Sequence, residues 1–424
     1  MNRTSATMTF ETQSLGERAL SRLDALAAIT DEPGRITRLY LSPAHRRAAD
    51  LVAGWMRELG LDVIEDAVGT IRGTLPAGRS GPDANRKLLI GSHIDSVIDA
   101  GKYDGCLGVV AGLLVVEELQ ARGVALPFGL EILAFGDEEG VRFPTSLSSS
   151  SAVTGTYRAD WLEATDSDGI KVKDALKIFG GDPAQVRDCA IPAESAIGYV
   201  ELHIEQGPVL EHDGVAIGVV TSIAGQSRFR LTIEGEAGHA GTNPMPLRRD
   251  AFAALAELSV FIERLAREGT AGLVATIGKV AVYPGAPNVV PGHVEATLDI
   301  RAGSDAPRLA AIERIQQEIE QVARHRGVRI RLERQTDVPT CPMNETFQSK
   351  LAAAIATLGE PARSLPSGAG HDAMAMARTV PAAMLFVRSQ AGISHNPAEF
   401  TSVCDLGLAV ETLIRFVISL GEAG

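Results

Sequence analysis

A chain of 424 residues is long enough to bury more than one core, and 45% hydrophobic with 22% charged residues is the make-up of a globular protein. The net charge of -13 argues against a nucleic-acid surface, and four cysteines (Cys106, Cys189, Cys341, Cys404) without a C-x-x-C pair argue against a disulfide framework or a thiolate-bound zinc. The opening MNRTSATMTFETQSLGERAL lacks an apolar core of signal-peptide length, and the longest apolar run, Leu107 to Val116, is too short to span a bilayer. The expectation is a cytoplasmic protein with neither nucleic acid nor membrane as a partner.

Residues 16 to 60 read as helical. Ser42 stands at a capping position, Pro43 at the first helical position and Gly60 where a helix stops. Short strands are expected around Val63 and from Thr70 to Leu75, followed by a polar loop from Ala77 to Arg86. KLLIGS and FGLEILAFG are apolar runs of strand length, and Gly105 to Gly123 between them has helical spacing. That β-α-β order predicts a parallel, helix-covered sheet. ESAIGYVELHIEQ near residue 200 reads as another buried strand.

The pattern changes near Ile223. QSRFRLTIEGEA reads as strand, Pro246 to Gly269 as helix, LVATIGKVAVYP and HVEATLDIRA as strands, Pro307 to Arg326 as helix and VRIRLERQ as strand. The order β-α-β-β-α-β is the split, ferredoxin-like arrangement. After it, FQSKLAAAIATLG, PAAMLFVRS and the C-terminal LGLAVETLIRFVISLGEAG resume the first alternation. The expectation is an α/β domain formed by residues 1–222 and 336–424, interrupted by a smaller α+β domain at 223–335.

His93 and Asp95 directly follow one predicted strand, and Asp137 to Gly140 (DEEG) follow the next. Open α/β sheets place their sites just beyond the C-terminal ends of parallel strands. Taken singly, Glu138 and Glu139 are the residues of a solvated turn, and a lone His93 is a hydrogen-bonded histidine. The joint pattern reads differently. His203 lies inside the apolar YVELHIEQG, where an unpartnered imidazole is costly, and ISHNPAEF carries His395 after a further strand. His93, Asp104, Glu139, His203 and His395 are three imidazoles and two carboxylates, donors suited to zinc and its neighbours. They serve two ions if one carboxylate bridges. Glu138 is then a spare carboxylate, the base that hydrolysis by water requires, and Asp95 is placed to hold the other N–H of His93.

These residues sit in motifs that resemble the di-metal aminoacylase/carboxypeptidase-like peptidase superfamily, and within it the hydantoinase/carbamoylase-type amidases: N-carbamoyl-L-amino-acid hydrolases, allantoate amidohydrolases and β-ureidopropionases. The stretches are GSHIDSVIDAGKYDG, FGDEEGVRFP, ELHIEQGPVLE, GEAGHAGTNPMPLRRDA, PNVVPG, DIRAG, SGAGHDAMAMA and GISHNPAEF, in family order from residue 91 to 400. The resemblance implies a phosphorylase/hydrolase-like catalytic domain with an inserted lid and dimerisation domain. It implies that His93 and His203 hold one metal, Glu139 and His395 the other, that Asp104 bridges, and that Glu138 is general base and acid. The ions are zinc first, with manganese, cobalt or nickel as alternatives. It further implies a cis peptide after Asp104, before Gly105, and substrate contacts from Gln206, Asn288 and Arg301. His239 is to come from the partner subunit of a homodimer, and His371 with Asp372 to line the pocket wall. Arg301 suits a substrate carboxylate because a guanidinium offers two parallel N–H groups.

One stretch departs from the family: relatives carry Gly-Ser-Arg- or Gly-Ser-Lys-like residues where this chain has Ser149, Ser150 and Ser151. The implied function is hydrolysis of a linear amide or ureido C–N bond in a small carboxylate-bearing substrate. The alternatives are an aminoacylase or dipeptidase on the same site, and a non-catalytic dimeric binding scaffold. No G-x-S-x-G flanks the serine run, and GKYDGCLG is not G-x-G-x-x-G, which sets aside a serine hydrolase and a dinucleotide enzyme.

Overall fold

The computed structural model describes residues 3–269 and 272–422 and divides into two units. The larger comprises Met1–Thr221, Met343–Leu365 and Gly370–Gly424, the smaller Ser222–Pro342 and Pro366–Ala369.

The larger unit is built on a sheet whose centre is four parallel strands. Their order is Gly129–Phe135, Lys87–His93, Ala196–Ile204 and Ala382–Val387. Antiparallel strands flank it, Ile71–Leu75 and Asp62–Glu65 on one side and Ile217–Ile223 on the other. The parallel centre is the one expected from the alternation of apolar runs and helices. Its strands are buried on both faces, so they read as continuous apolar runs rather than alternating ones. The helix Cys106–Ala121 is apolar all round, and buried, from Cys106 to Val116. It lies close against the sheet because Gly108 has no side chain: a Cβ there would overlap Ser92 and the carbonyl of Leu202.

Residues 16 to 60 are not one helical region. Helices Arg3–Ala27 and Pro43–Glu58 are separated by an irregular stretch that contains Pro33 and Gly34. The second begins as expected, with Ser42 accepting from the His45 N–H and Pro43 at the first position. The serine run, which carried no structural signal, is the helix Ser148–Val153, and all four of its serines are buried.

The smaller unit has the order β-α-β-β-α-β, with helices Ala251–Glu268 and Asp305–Arg326. Its antiparallel sheet runs Arg329–Val338, Gly225–Glu234, His293–Ala302, Val274–Tyr283, the ferredoxin-like strand order. Alternate residues Phe229, Leu231 and Ile233 turn inward to a core shared with Leu255, Leu258, Ile300 and Ile315. The first helix starts at Ala251, not Pro246, because Asp250 caps it, accepting from the N–H groups of Phe252 and Ala253 at 2.9 and 3.0 Å. Among the described residues no helix is long and apolar enough to cross a membrane.

Candidate metal centre

Four chain segments deliver the site to one end of the parallel strands. His93 closes its strand and is level with Phe135 of the next, beyond which Glu138 and Glu139 follow. His203 is level with Phe386, and His395 comes after that strand, in a left-handed backbone conformation with φ 53°. Asp104 precedes the buried helix. The bend there is made by Gly105, at φ 65° and ψ -55°, with the Cys106 N–H donating to the Asp104 carbonyl at 2.7 Å, which is a γ-turn. The expected cis bond after Asp104 is therefore absent, since glycine's positive φ reverses the chain with a trans peptide. The cis bond among the described residues is Tyr283–Pro284.

Asp104 is the hub. Its Oδ1 lies 3.2 Å from His203 Nε2 and 3.5 Å from His93 Nε2, and its Oδ2 lies 3.3 Å from His395 Nε2. Glu139 Oε2 is 3.5 Å from His395 Nε2, and Glu138 Oε2 is 3.9 Å from His93 Nε2. Potential ligand atoms therefore converge in two groups that share Asp104: His93, Asp104 and His203, and Asp104, Glu139 and His395.

The donor atoms themselves test the fit of a cation. His93 Nδ1 faces the Asp95 carbonyl at 3.1 Å and His203 Nδ1 faces the Ile204 carbonyl at 2.9 Å. A carbonyl only accepts, so each Nδ1 carries a proton, which in the neutral ring leaves the lone pair on Nε2, the nitrogen nearer Asp104. Glu139 Oε1 is buried with no hydrogen-bond partner. Lone pairs and carboxylate oxygens packed together repel unless positive charge lies among them, so these residues fit divalent cations. The same field draws protons: the hydrogen bond to Asp104 lifts His395 to about 9, while burial and the Asp104 charge push Glu139 up to about 7. Burial, reinforced by Glu139 and Asp372 against the pull of His93, holds Glu138 well above the usual carboxylate range.

The surroundings brace this cluster. Asp95 holds His93 through its carbonyl, while its carboxylate, 3.6 Å from the ring nitrogen, accepts from the N–H groups of Glu138 and Glu139 at 3.3 and 3.4 Å. Three supports escaped the sequence reading. Glu399 accepts from the N–H groups of Tyr103 and Asp104 at 2.8 and 3.2 Å and so fixes the hub's loop. Glu201 accepts from Ser92, Tyr199 and the Ala373 N–H. Asp137 accepts from Thr145 and Ser148, which ties the buried serine helix to the Glu138–Glu139 turn. An acid inside an apolar strand, as Glu201 is in YVELHIE, was a signal open to reading; Glu399 offered none beyond its place four residues after His395.

Gln206 does not stand free. Its Nε2 donates to Asp104 Oδ2 at 2.9 Å and approaches His395 Nε2 at 3.4 Å, while its Oε1 is buried without a partner. His371 packs its ring edge-on against His203, centroids 4.5 Å apart. Asp372 is fully buried. The other named residues belong to the smaller unit. His239 and Asn288 are neighbours there: Gly238–His239 pairs with Val289–Val290, and the Ala240 N–H donates to the Asn288 carbonyl at 2.9 Å. Arg301 lies at the end of its strand, with Nε 2.9 Å from Asp299 Oδ1.

Residues 89–419 match the family model "Peptidase family M20/M25/M40". The chain is similar to an N-carbamoyl-L-amino acid amidohydrolase of Geobacillus stearothermophilus, 42% identical over 96% of this chain and 99% of the relative. It is 38% identical to an allantoate deiminase of Arabidopsis thaliana, over 96% of this chain and 82% of that one. A hydantoinase/carbamoylase family amidase from Burkholderia multivorans superposes with a TM-score of 0.88 at 30% identity, covering 96% and 98% of the two chains. The chain belongs to the M20/M25/M40 peptidase family and, within it, to the hydantoinase/carbamoylase amidases, hydrolases of carbon–nitrogen bonds other than peptide bonds.

Proposed function

We propose that the chain hydrolyses the ureido C–N bond of an N-carbamoyl-L-amino acid, releasing the amino acid, ammonia and carbon dioxide. The observation that carries this reading is the two ligand groups sharing Asp104, with the Glu138 carboxylate beside them. His93, Asp104 and His203, and Asp104, Glu139 and His395, would hold divalent cations, which when bound would supply Lewis acidity toward a carbonyl oxygen and lower the pKa of water. Zinc is the first choice for such ligands, with manganese, cobalt and nickel as alternatives.

Glu138 is the proton carrier. As the water oxygen attacks the carbamoyl carbon, Glu138 accepts its proton, and it returns that proton to the departing amino nitrogen as the C–N bond breaks. A carboxylate whose affinity for protons is raised by burial suits both halves of the task. Asp95 keeps Glu138 in place through the backbone. In this reading Gln206, Asn288 and Arg301 bind the substrate, with Arg301 on its carboxylate. His239 steadies the developing oxyanion from the partner subunit of a homodimer, and His371 walls the pocket. The discontinuous unit is then catalytic and the smaller one a lid and dimerisation domain.

A second reading, allantoate as substrate, is favoured by the likeness to the Arabidopsis deiminase. Both substrates are ureido acids, so one experiment tests the proposal: ammonia release by the metal-reconstituted enzyme from N-carbamoyl-L-α-amino acids, N-carbamoyl-β-alanine and allantoate, with N-acetyl amino acids and dipeptides assayed in parallel for the free amino acid. Turnover of a ureido acid is expected. Turnover confined to N-acetyl or dipeptide substrates makes the chain an aminoacylase or dipeptidase, and an inert protein on the whole panel makes it a scaffold.

A further inference from the structure

Arg301 is held by two partners, Asp299 and the Gly368 carbonyl. A guanidinium presents five N–H groups: a side fork from Nε and Nη2, an end fork from Nη1 and Nη2, and one remaining Nη1 hydrogen beside Cδ. The side fork is taken by Asp299, with Nε 2.9 Å from Oδ1 and Nη2 3.4 Å from Oδ2. Nη1 donates to the Gly368 carbonyl at 2.7 Å. With the side fork and one Nη1 hydrogen engaged, one hydrogen on each Nη remains, and the side chain is partly exposed.

The strand ladder sets up this arrangement. Asp299 and Arg301 are two residues apart on one strand, so they share a face of the sheet. Directly opposite them in the antiparallel partner stand Arg228 and Gln226. Arg228 Nε donates to Asp299 Oδ2 at 2.9 Å and Gln226 Nε2 to the same oxygen at 2.7 Å. Burial alone would raise the Asp299 carboxyl, but the bonds from Arg301 and Arg228 hold it below its usual range, so it stays ionised. Arg301, Arg228 and Asp299 together carry one positive charge in excess, enough to meet one carboxylate.

We propose that Asp299 is a positioning residue for the substrate: braced by Arg228 and Gln226, it clamps the side fork of Arg301 so that the remaining Nη hydrogens are presented, pre-aligned, to a substrate carboxylate. This rests on reading Arg301 as the carboxylate clamp. Charge and position predict opposite effects here. Removing the negative charge of Asp299 would by itself draw a substrate carboxylate more tightly. Losing the alignment weakens it, because an arginine free to swing must be ordered on binding.

The test is steady-state kinetics of the metal-reconstituted enzyme on an N-carbamoyl-L-amino acid and on its primary carboxamide, which has no carboxylate to clamp. For Asp299→Asn and Asp299→Ala we expect KM for the acid to rise about tenfold with kcat little changed, the fold-change that loss of one charge-assisted hydrogen bond gives. The carboxamide should be unaffected, and Asp299→Glu should recover part of the loss. Arg301→Ala supplies the control. If it impairs acid and carboxamide alike, the clamp reading itself fails. If it impairs only the acid while Asp299→Asn leaves KM unchanged or lowers it, the clamp stands and the positioning role is wrong. A fall in kcat at unchanged KM, or equal loss on both substrates, also overturns it. Melting temperatures identify any variant that fails to fold, and the near-isosteric Asp299→Asn then decides the matter.

Discussion

His203 turns Nε2 to within 3.2 Å of Asp104 Oδ1 while its Nδ1 faces the carbonyl of Ile204 at 2.9 Å. The carbonyl fixes the proton on Nδ1, so in the neutral ring the lone pair is on Nε2, the nitrogen beside the carboxylate. That relationship, repeated at His93, is the arrangement on which the proposed metal ligation rests.

Asp104 is common to both ligand groups, whereas His395 belongs to one. Metal analysis after equilibration with zinc and desalting should therefore find about two ions per chain in the wild type, by the usual count of three protein ligands per catalytic ion. Asp104→Ala should lose both, and His395→Ala should keep one. Equal retention by the two variants would dissolve the shared-ligand assignment.

Glu138 belongs to neither of the groups that share Asp104. Glu138→Gln should keep both ions and its melting temperature, while kcat falls about 10²–10⁴-fold, the usual contribution of a positioned general acid–base group. A variant within a few-fold of wild type would remove Glu138 from proton transfer.

Gly105 carries the turn that delivers Asp104. Its φ is 65°, and a Cβ added there would overlap the imidazole of His93. Gly105→Ala should lose about 2–4 kcal/mol, combining a left-handed backbone with overpacking, and should weaken metal binding as His93 is displaced. Urea unfolding and zinc titration of the same preparation measure both effects. An unperturbed variant would show that the loop relaxes freely.

His45 makes folding pH-dependent away from the centre. Burial, with the charges of Arg38, Arg46 and Arg142, lowers it to about 3. Its Nδ1 accepts from the Leu41 N–H at 3.1 Å, and its ring stacks on Phe179. The folded protein keeps it neutral, whereas the unfolded chain protonates it below its ordinary value of 6.5. Its contribution is therefore present above that value and is lost as pH falls toward about 3, amounting to about 2 kcal/mol by pH 5. Other buried acids titrate in the same window, so the quantity to read is the difference between wild type and His45→Gln. The gap between their unfolding free energies should narrow by that amount from pH 7.5 to 5. A constant gap would contradict the assignment.

Much of this molecule is legible in its sequence, for physical reasons that differ by region. The parallel centre shows because strands buried on both faces must be apolar throughout, and the smaller unit because alternating residues reveal a sheet with one covered face. His93, Asp104, Glu139, His203 and His395 are conspicuous because polar residues at the ends of apolar runs are costly without a partner. Other features depend on tertiary context. Whether Gly105 turns through a cis bond or a positive φ is a choice between two backbones the same residue adopts. The serine run gives no helical periodicity, yet it is buried because Asp137 and the Gly136 N–H supply its hydroxyls with partners. Asp299 looks like any surface acid until the strand register sets Arg228 opposite it.

The central claim is tested most directly by stripping the enzyme with a chelator and restoring a divalent metal stepwise while following ammonia release from the preferred ureido acid. The account predicts no activity without metal and a rise that levels off at two equivalents per chain. Full turnover in the exhaustively stripped protein, or a plateau at a single equivalent with no further binding, would contradict it.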